Sequence, residues 1–174
     1  MKSNRGFSMI EVLITLVLIS IGVLGMVALQ TRTLQNTQDS VQRNAAASLA
    51  NDLLELMRAQ PTGLPATSGF YKAAATNFPA VPSAGCAATP LAPAQQLACW
   101  GEKAKSLLPG VTNALLASDF YVCRTTQPGT CTPTAGSAVE IQIAWTVKAG
   151  ECMDSTNSNN STATTCYYRL RAEL

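Results

Sequence analysis

Two sets of side chains in this 174-residue chain have the types and spacing to do chemistry. One is the carboxylate of Glu11, set at the head of an apolar run, Val12 to Leu29, that carries no charge. The other is the six cysteines, Cys86, Cys99, Cys123, Cys131, Cys152 and Cys166, all from position 86 onward. A carboxylate in an apolar setting calls for a cation, because each charge alone meets the cost of leaving water. Thiols in even number call for an oxidant or a metal.

For the cysteines the oxidant is favoured. Zinc sites use close-set C-x-x-C pairs, usually with histidine, and the chain has neither such a pair nor any histidine. An even count in a small domain behind a membrane-directing segment points to an oxidising compartment. Six cysteines allow fifteen pairings. Pairing of sequence neighbours, Cys86–Cys99, Cys123–Cys131 and Cys152–Cys166, would close short loops and is the expected arrangement, with each bridge contributing about 2 to 4 kcal/mol.

Other chemistry is poorly supplied. Without histidine the commonest general base at neutral pH is missing. No phosphate-binding loop, dinucleotide glycine fingerprint or nucleophile elbow occurs. Asp119, Glu140, Glu151 and Asp154 show no pairing logic and are expected at solvated strand ends and loops. Asp154, Asn157 and Asn159 miss the spacing of a calcium loop. The expectation is a chain that is no enzyme and has no cofactor or metal. A formal charge of +2 without a basic cluster also argues against nucleic acid.

The amino end directs the chain to a membrane. Lys2 and Arg5 make a short basic leader that belongs on the cytoplasmic side. Val12 to Leu29 would rise roughly 27 Å as a helix, close to the hydrocarbon thickness of a bilayer. No small-residue cleavage site follows the run, so it is expected to persist as an anchor. Glu11 would then either mark the membrane edge and stay wet or meet a cation in a packed helical assembly, for which a newly freed amino group on Phe7 of a neighbouring copy would serve.

Gly6-Phe7-Ser8-Met9-Ile10-Glu11-Val12-Leu13 resembles the type IV prepilin motif, in which a basic leader ends in Gly before Phe and Glu lies at the fifth mature position. More narrowly, Ile19 to Gln30, with Gly22, Gly25 and Leu29-Gln30, is similar to PilV-type minor pilins. The resemblance covers about the first sixty residues. It implies cleavage between Gly6 and Phe7 by the prepilin peptidase, N-methylation of Phe7, and a role for Glu11 in recruiting or registering neighbouring subunits. Loss of Lys2 and Arg5 with the leader leaves ten basic and ten acidic side chains. Many major pilins interrupt the anchor with proline, but none occurs between Phe7 and Gln60. Gly22 and Gly25 would either soften the helix or let neighbours approach.

These groups need elements to hold them. Beyond Leu29 a stripe of Leu34, Val41, Ala45, Leu49, Leu53 and Leu56 continues the helix, with Asp39, Gln42 and Arg43 among the polar positions around it. Gln60-Pro61 stops it, after roughly 80 Å from Phe7. Residues 61–93 form a Pro-rich connector pinned by Phe70, Tyr71 and Phe78, and Pro93 to Leu108 a short helix. Phe120 to Arg124, Val139 to Val147 and Cys166 to Leu174 read as antiparallel strands, the middle one half-buried.

The fold class is therefore α+β: a long N-terminal α-helix packed on a C-terminal antiparallel β-sheet, a pilin fold with disulfide-stapled loops. The expected divisions are a cleaved leader (1–6), a transmembrane assembly half-helix (7–30), an amphipathic half (31–60) and a periplasmic disulfide-containing domain (61–174). The resemblance implies a minor pilin that helps initiate type IV pilus assembly and joins a tip complex. Its partners would be the prepilin peptidase, other minor pilins and the major pilin, the membrane, and an adhesin at the tip. Its location would be the inner membrane and then the pilus at the cell surface. A minor pseudopilin of a type II secretion system is the near alternative, and a single-pass anchored periplasmic binding domain the alternative of another class.

Overall fold

In the computed structural model, residues 8–60, 64–87, 89, 91–132, 134–149, 151–152 and 163–173 are described. Helix α1 covers Met9–Arg58. It contributes to two compact units, Met1–Gln38 and Asp39–Leu174. In the second unit α2 (Pro93–Leu107), α3 (Asn113–Asp119), β1 (Tyr121–Thr125), β2 (Ala138–Thr146) and β3 (Thr165–Glu173) follow in chain order.

From Asp39 onward α1 buries one face. Ala46, Leu49, Ala50, Leu53, Leu54 and Met57 enter a single core cluster with Val139, Ile141, Ile143 and Trp145 of β2. The stripe read from the large apolar residues is therefore rotated. Leu49 and Leu53 lie in the core, but Leu34, Val41 and Leu56 are exposed. The buried face is marked instead by the alanines and by three polar residues expected to face water. Gln42 Oε1 accepts a 2.8 Å hydrogen bond from the Trp145 indole N–H. The Arg43 guanidinium lies 5.8 Å over the Trp145 ring and donates at 2.7 Å to a buried Asp39. Cation–π attraction and an ion pair keep that charge tolerable beside the core.

The sheet is an antiparallel meander of order β1-β2-β3. In register, Cys123 faces Glu140 and Trp145 faces Cys166. The central strand differs from the half-buried one expected: eight of its nine residues are buried. Its second face carries Glu140, met by Gly129 in the chain that leaves β1, and Gln142, met by Asp119 before β1 and Arg169 of β3.

The connector packs as an irregular layer on the body. Phe70 is fully buried, and Phe78 stacks on Trp100 and meets Phe120 edge-on at 6.2 Å. Lys72 extends the sheet by one bridge, exchanging 2.8 and 2.9 Å backbone hydrogen bonds with Val122. Pro93 suits the first turn of α2, where its missing N–H costs nothing. The Trp100 indole N–H donates at 2.8 Å to the Leu49 carbonyl, fixing α2 to α1. Sequence periodicity did not reveal α3. Its Thr112 hydroxyl caps the Leu115 N–H, a start signal hidden behind Pro109-Gly110. Gly110 has φ +64°, and a Cβ there would lie 1.5 Å from Thr146 Oγ1, so only glycine fits.

Candidate assembly surface

The Ser8 carbonyl accepts from the N–H of Glu11 at 3.0 Å and of Val12 at 3.3 Å, which begins α1. Glu11 thus lies in the first turn, where a carboxylate complements the positive end of the helix by about 0.3 to 1 kcal/mol. Its side chain is exposed in the single chain. Gly6 and Phe7, the expected cleavage and methylation positions, lie outside the described residues.

After Glu11 the large apolar side chains of α1 point outward, from Val12 to Leu29. The most apolar 18-residue window has a mean hydropathy of 2.8, and none of it is buried. By length and composition this stretch can cross a membrane. Its few hydroxyls are hidden by the helix itself: Thr15 bonds the Val12 carbonyl at 2.8 Å, Ser20 the Leu16 carbonyl at 2.7 Å and Thr31 the Val27 carbonyl at 3.1 Å. Such back-bonding leaves no unmet donor to oppose lipid. The helix runs unbroken through Gly22 and Gly25, and a Cβ at either would meet nothing within 4 Å. Their smallness answers no contact in this chain and leaves room for another.

The body wholly or partly buries several polar groups, among them Glu140 and Asp119, which the sequence placed at solvated strand ends and loops. Glu140 is the main correction, with only 1% of its surface exposed. It accepts from the Tyr121 hydroxyl and from the Gly129 N–H, at 2.9 and 3.1 Å to its two oxygens. The carboxylate thereby ties the chain after β1 across the sheet. Burial, with the adjoining Glu140 carboxylate, holds the Tyr121 phenol well above its ordinary range. Gln142 donates to the Asp119 carbonyl at 2.7 Å and accepts from Arg169 at 2.6 Å. Asp119 is half-buried and accepts from the Tyr167 hydroxyl at 2.8 Å. Lys72 is buried, and its ammonium donates to the carbonyls of Ala73, Ala117 and Phe120. Burial pushes it down to about 8, with Asp119 opposing. The shared task of these groups is to fasten loops. Glu151 is half-buried beside Cys152, while Asp154, Asn157 and Asn159 lie outside the described residues.

The six cysteines come together as Cys86–Cys99, Cys123–Cys131 and Cys152–Cys166, with Cα–Cα distances of 5.6, 5.6 and 5.5 Å. The first joins the connector to α2, the second closes the segment that covers Glu140, and the third fixes the start of β3. Among the described residues no group of three His, Cys, Asp or Glu side chains could hold a metal ion.

The two ends of α1 fall to two family models. Residues 1–27 match the prokaryotic N-terminal methylation motif, and residues 28–101 match the family described as type IV pilin Tt1218. No curated protein and no solved structure matches the chain. Over residues 28–101 the chain is thus similar to type IV pilins, and over residues 1–27 it carries the N-terminal methylation motif.

Proposed function

We propose that this chain, similar to type IV pilins over residues 28–101 and carrying the N-terminal methylation motif over residues 1–27, is a minor pilin that helps initiate pilus assembly. The prepilin peptidase removes residues 1–6 by cutting between Gly6 and Phe7, and Phe7 is N-methylated. Residues 7–30 anchor the chain in the inner membrane, with residues 61–174 in the periplasm. Other minor pilins and the major pilin then pack on the α1 half-helix, and the chain enters a complex at the pilus tip with an adhesin. The protein performs no catalysis of its own.

The observation that carries this reading is Glu11 in the first turn of an apolar half-helix whose side chains are exposed. Lipid satisfies the apolar side chains but not the carboxylate, which becomes costly once neighbouring helices exclude water. A freed Phe7 amine on an adjoining subunit supplies the missing cation, so assembly and neutralisation occur in one step. The resemblance of Ile19 to Gln30 to PilV-type sequences supports the minor rather than the major role.

Glu11→Ala tests the pairing. The variant is expected in the inner-membrane fraction at parental level, with few or no surface pili and little of the chain in sheared filaments. Parental piliation and recovery would remove the registering role of Glu11. Sheared filaments composed mainly of this chain would refute the minor role. A secretion defect with intact pili would assign it to a type II secretion system.

A further inference from the structure

A cleft of about 370 Å³ opens on the body where the end of α1 meets β1 and β2. Met57 and Val139, both buried, form an apolar floor. Arg58, Arg124, Tyr71 and Ser137 line its polar side, and no acidic side chain lines it among the described residues. The guanidinium of Arg124 is held in place because Nε and Nη2 both donate to the Gly136 carbonyl, at 3.0 and 2.7 Å. Among the described residues its Nη1 edge has no bond. Among them too, Tyr71 and Ser137 use their hydroxyls on nothing else, and Arg58 spends only Nη1, on Glu55 at 2.9 Å.

The carbonyl end of a helix would repel an anion, yet here three of its last four carbonyls already accept a bond. Glu55 O accepts from the Ala59 N–H at 2.9 Å, Met57 O from the Gln60 N–H at 3.3 Å, and Leu56 O from the Gln60 carboxamide at 3.3 Å. What remains is a set of donors over an apolar floor, with a fixed guanidinium among them. Burial raises the Tyr71 phenol while Arg124 opposes that shift, so the hydroxyl stays protonated and able to donate at neutral pH.

We infer that this cleft binds the free terminal carboxylate of a short peptide segment whose last side chain is apolar. The planar fork of Arg124 suits a carboxylate, Tyr71 and Ser137 add neutral donors, and Met57 with Val139 receives the side chain. A cleft of this volume holds one or two residues, as small-ligand sites do. The inference does not depend on the pilus reading, because every residue in it lies within Asp39–Leu174.

The test is calorimetric titration of the full chain in neutral detergent with N-acetyl-alanyl-leucine. Saturable binding is expected, at least tenfold weaker for the terminal amide of the same peptide and at least tenfold weaker in Arg124→Gln. Tyr71→Phe keeps the ring and is expected to weaken binding severalfold, which covers the case in which Arg124→Gln fails to fold. Inorganic phosphate is expected to bind at least tenfold more weakly than the peptide acid, since it leaves the floor unused. Equal affinity for acid and amide, no binding of the acid, or phosphate binding as tightly as the peptide acid would overturn the inference.

Discussion

Replacing Glu140 with alanine should be far more damaging than its place on a strand of alternating polarity suggests. The side chain is buried, and its two oxygens serve the Tyr121 hydroxyl and the Gly129 N–H. Deleting it strands the buried Tyr121 hydroxyl at about 1 to 3 kcal/mol, and the N–H of exposed Gly129 at less because water can reach it. Removal of a buried charge gives some of that back. A net loss of about 2 kcal/mol follows, and about 1 kcal/mol for Glu140→Gln, whose amide oxygen still accepts. The two tryptophans of the chain, Trp100 and Trp145, are both buried in the body, so their fluorescence reports its unfolding and not that of the anchor. Urea titration of the disulfide-intact full chain in neutral detergent gives the comparison, with the slope unchanged if only stability moves. Tyr121→Phe removes one stranded donor in advance, so the double variant should be less damaging than the sum by about 1 kcal/mol. A loss under about 0.5 kcal/mol for Glu140→Ala, or strict additivity in the double variant, would refute the latch.

The rotated face of α1 separates two further substitutions by the same titration: Leu49→Ala should cost about 2 to 5 kcal/mol, and Val41→Ala, on the exposed side, less than about 0.5. Equal costs would restore the face drawn through the large apolar residues. Stability should also vary with pH in the alkaline range. Folding lowers Lys72 to about 8, so between about 8 and its unfolded value of 10.5 the unfolded chain holds the extra proton and stability from this group rises with pH. Folding raises Tyr121, so its contribution is present below its unfolded value of 10.0 and is lost as pH climbs beyond it. Denaturation midpoints should therefore climb from pH 8 toward 10 and fall above it. Lys72→Met should flatten the climb and Tyr121→Phe the fall; curves that keep both features would contradict these assignments.

Much of the architecture was legible because it repeats. A span of apolar residues with a lone acid, a helical pattern over Pro93–Leu107 and alternation in Ala138–Thr146 each offer several periods to read. Helix α3 offers only seven residues, too few for a pattern to emerge from its surroundings. The face of α1 was misjudged for a different reason. Helices approach closely where side chains are small, so Ala46 and Ala50 mark the contact while Leu34 and Val41 lie elsewhere. Gln42 and Arg43 face inward because Trp145 offers an indole N–H and a ring face, partners that lie far along the chain and leave no local sign. Glu140 was misplaced because alternation tells which residues share a face, not what covers it. One signal was available: Cys123 lies opposite Glu140 in register, and its bridge to Cys131 draws the following segment over that face. The amino-terminal motif was the most legible part, since the match over residues 1–27 lies in spacing along the chain rather than in a fold. The cleft over Met57 and Val139 escaped sequence reading, because its arginines are 66 positions apart, at 58 and 124.

In the proposed minor pilin the mature chain begins at Phe7. Intact-mass analysis of the protein recovered from its own host's membranes tests this directly. It should find residues 1–6 gone and a single methyl group on the Phe7 amine, while a host lacking its prepilin peptidase yields the full-length chain. Met1 retained in the processing-competent host, or an unmodified Phe7 amine, would contradict the account.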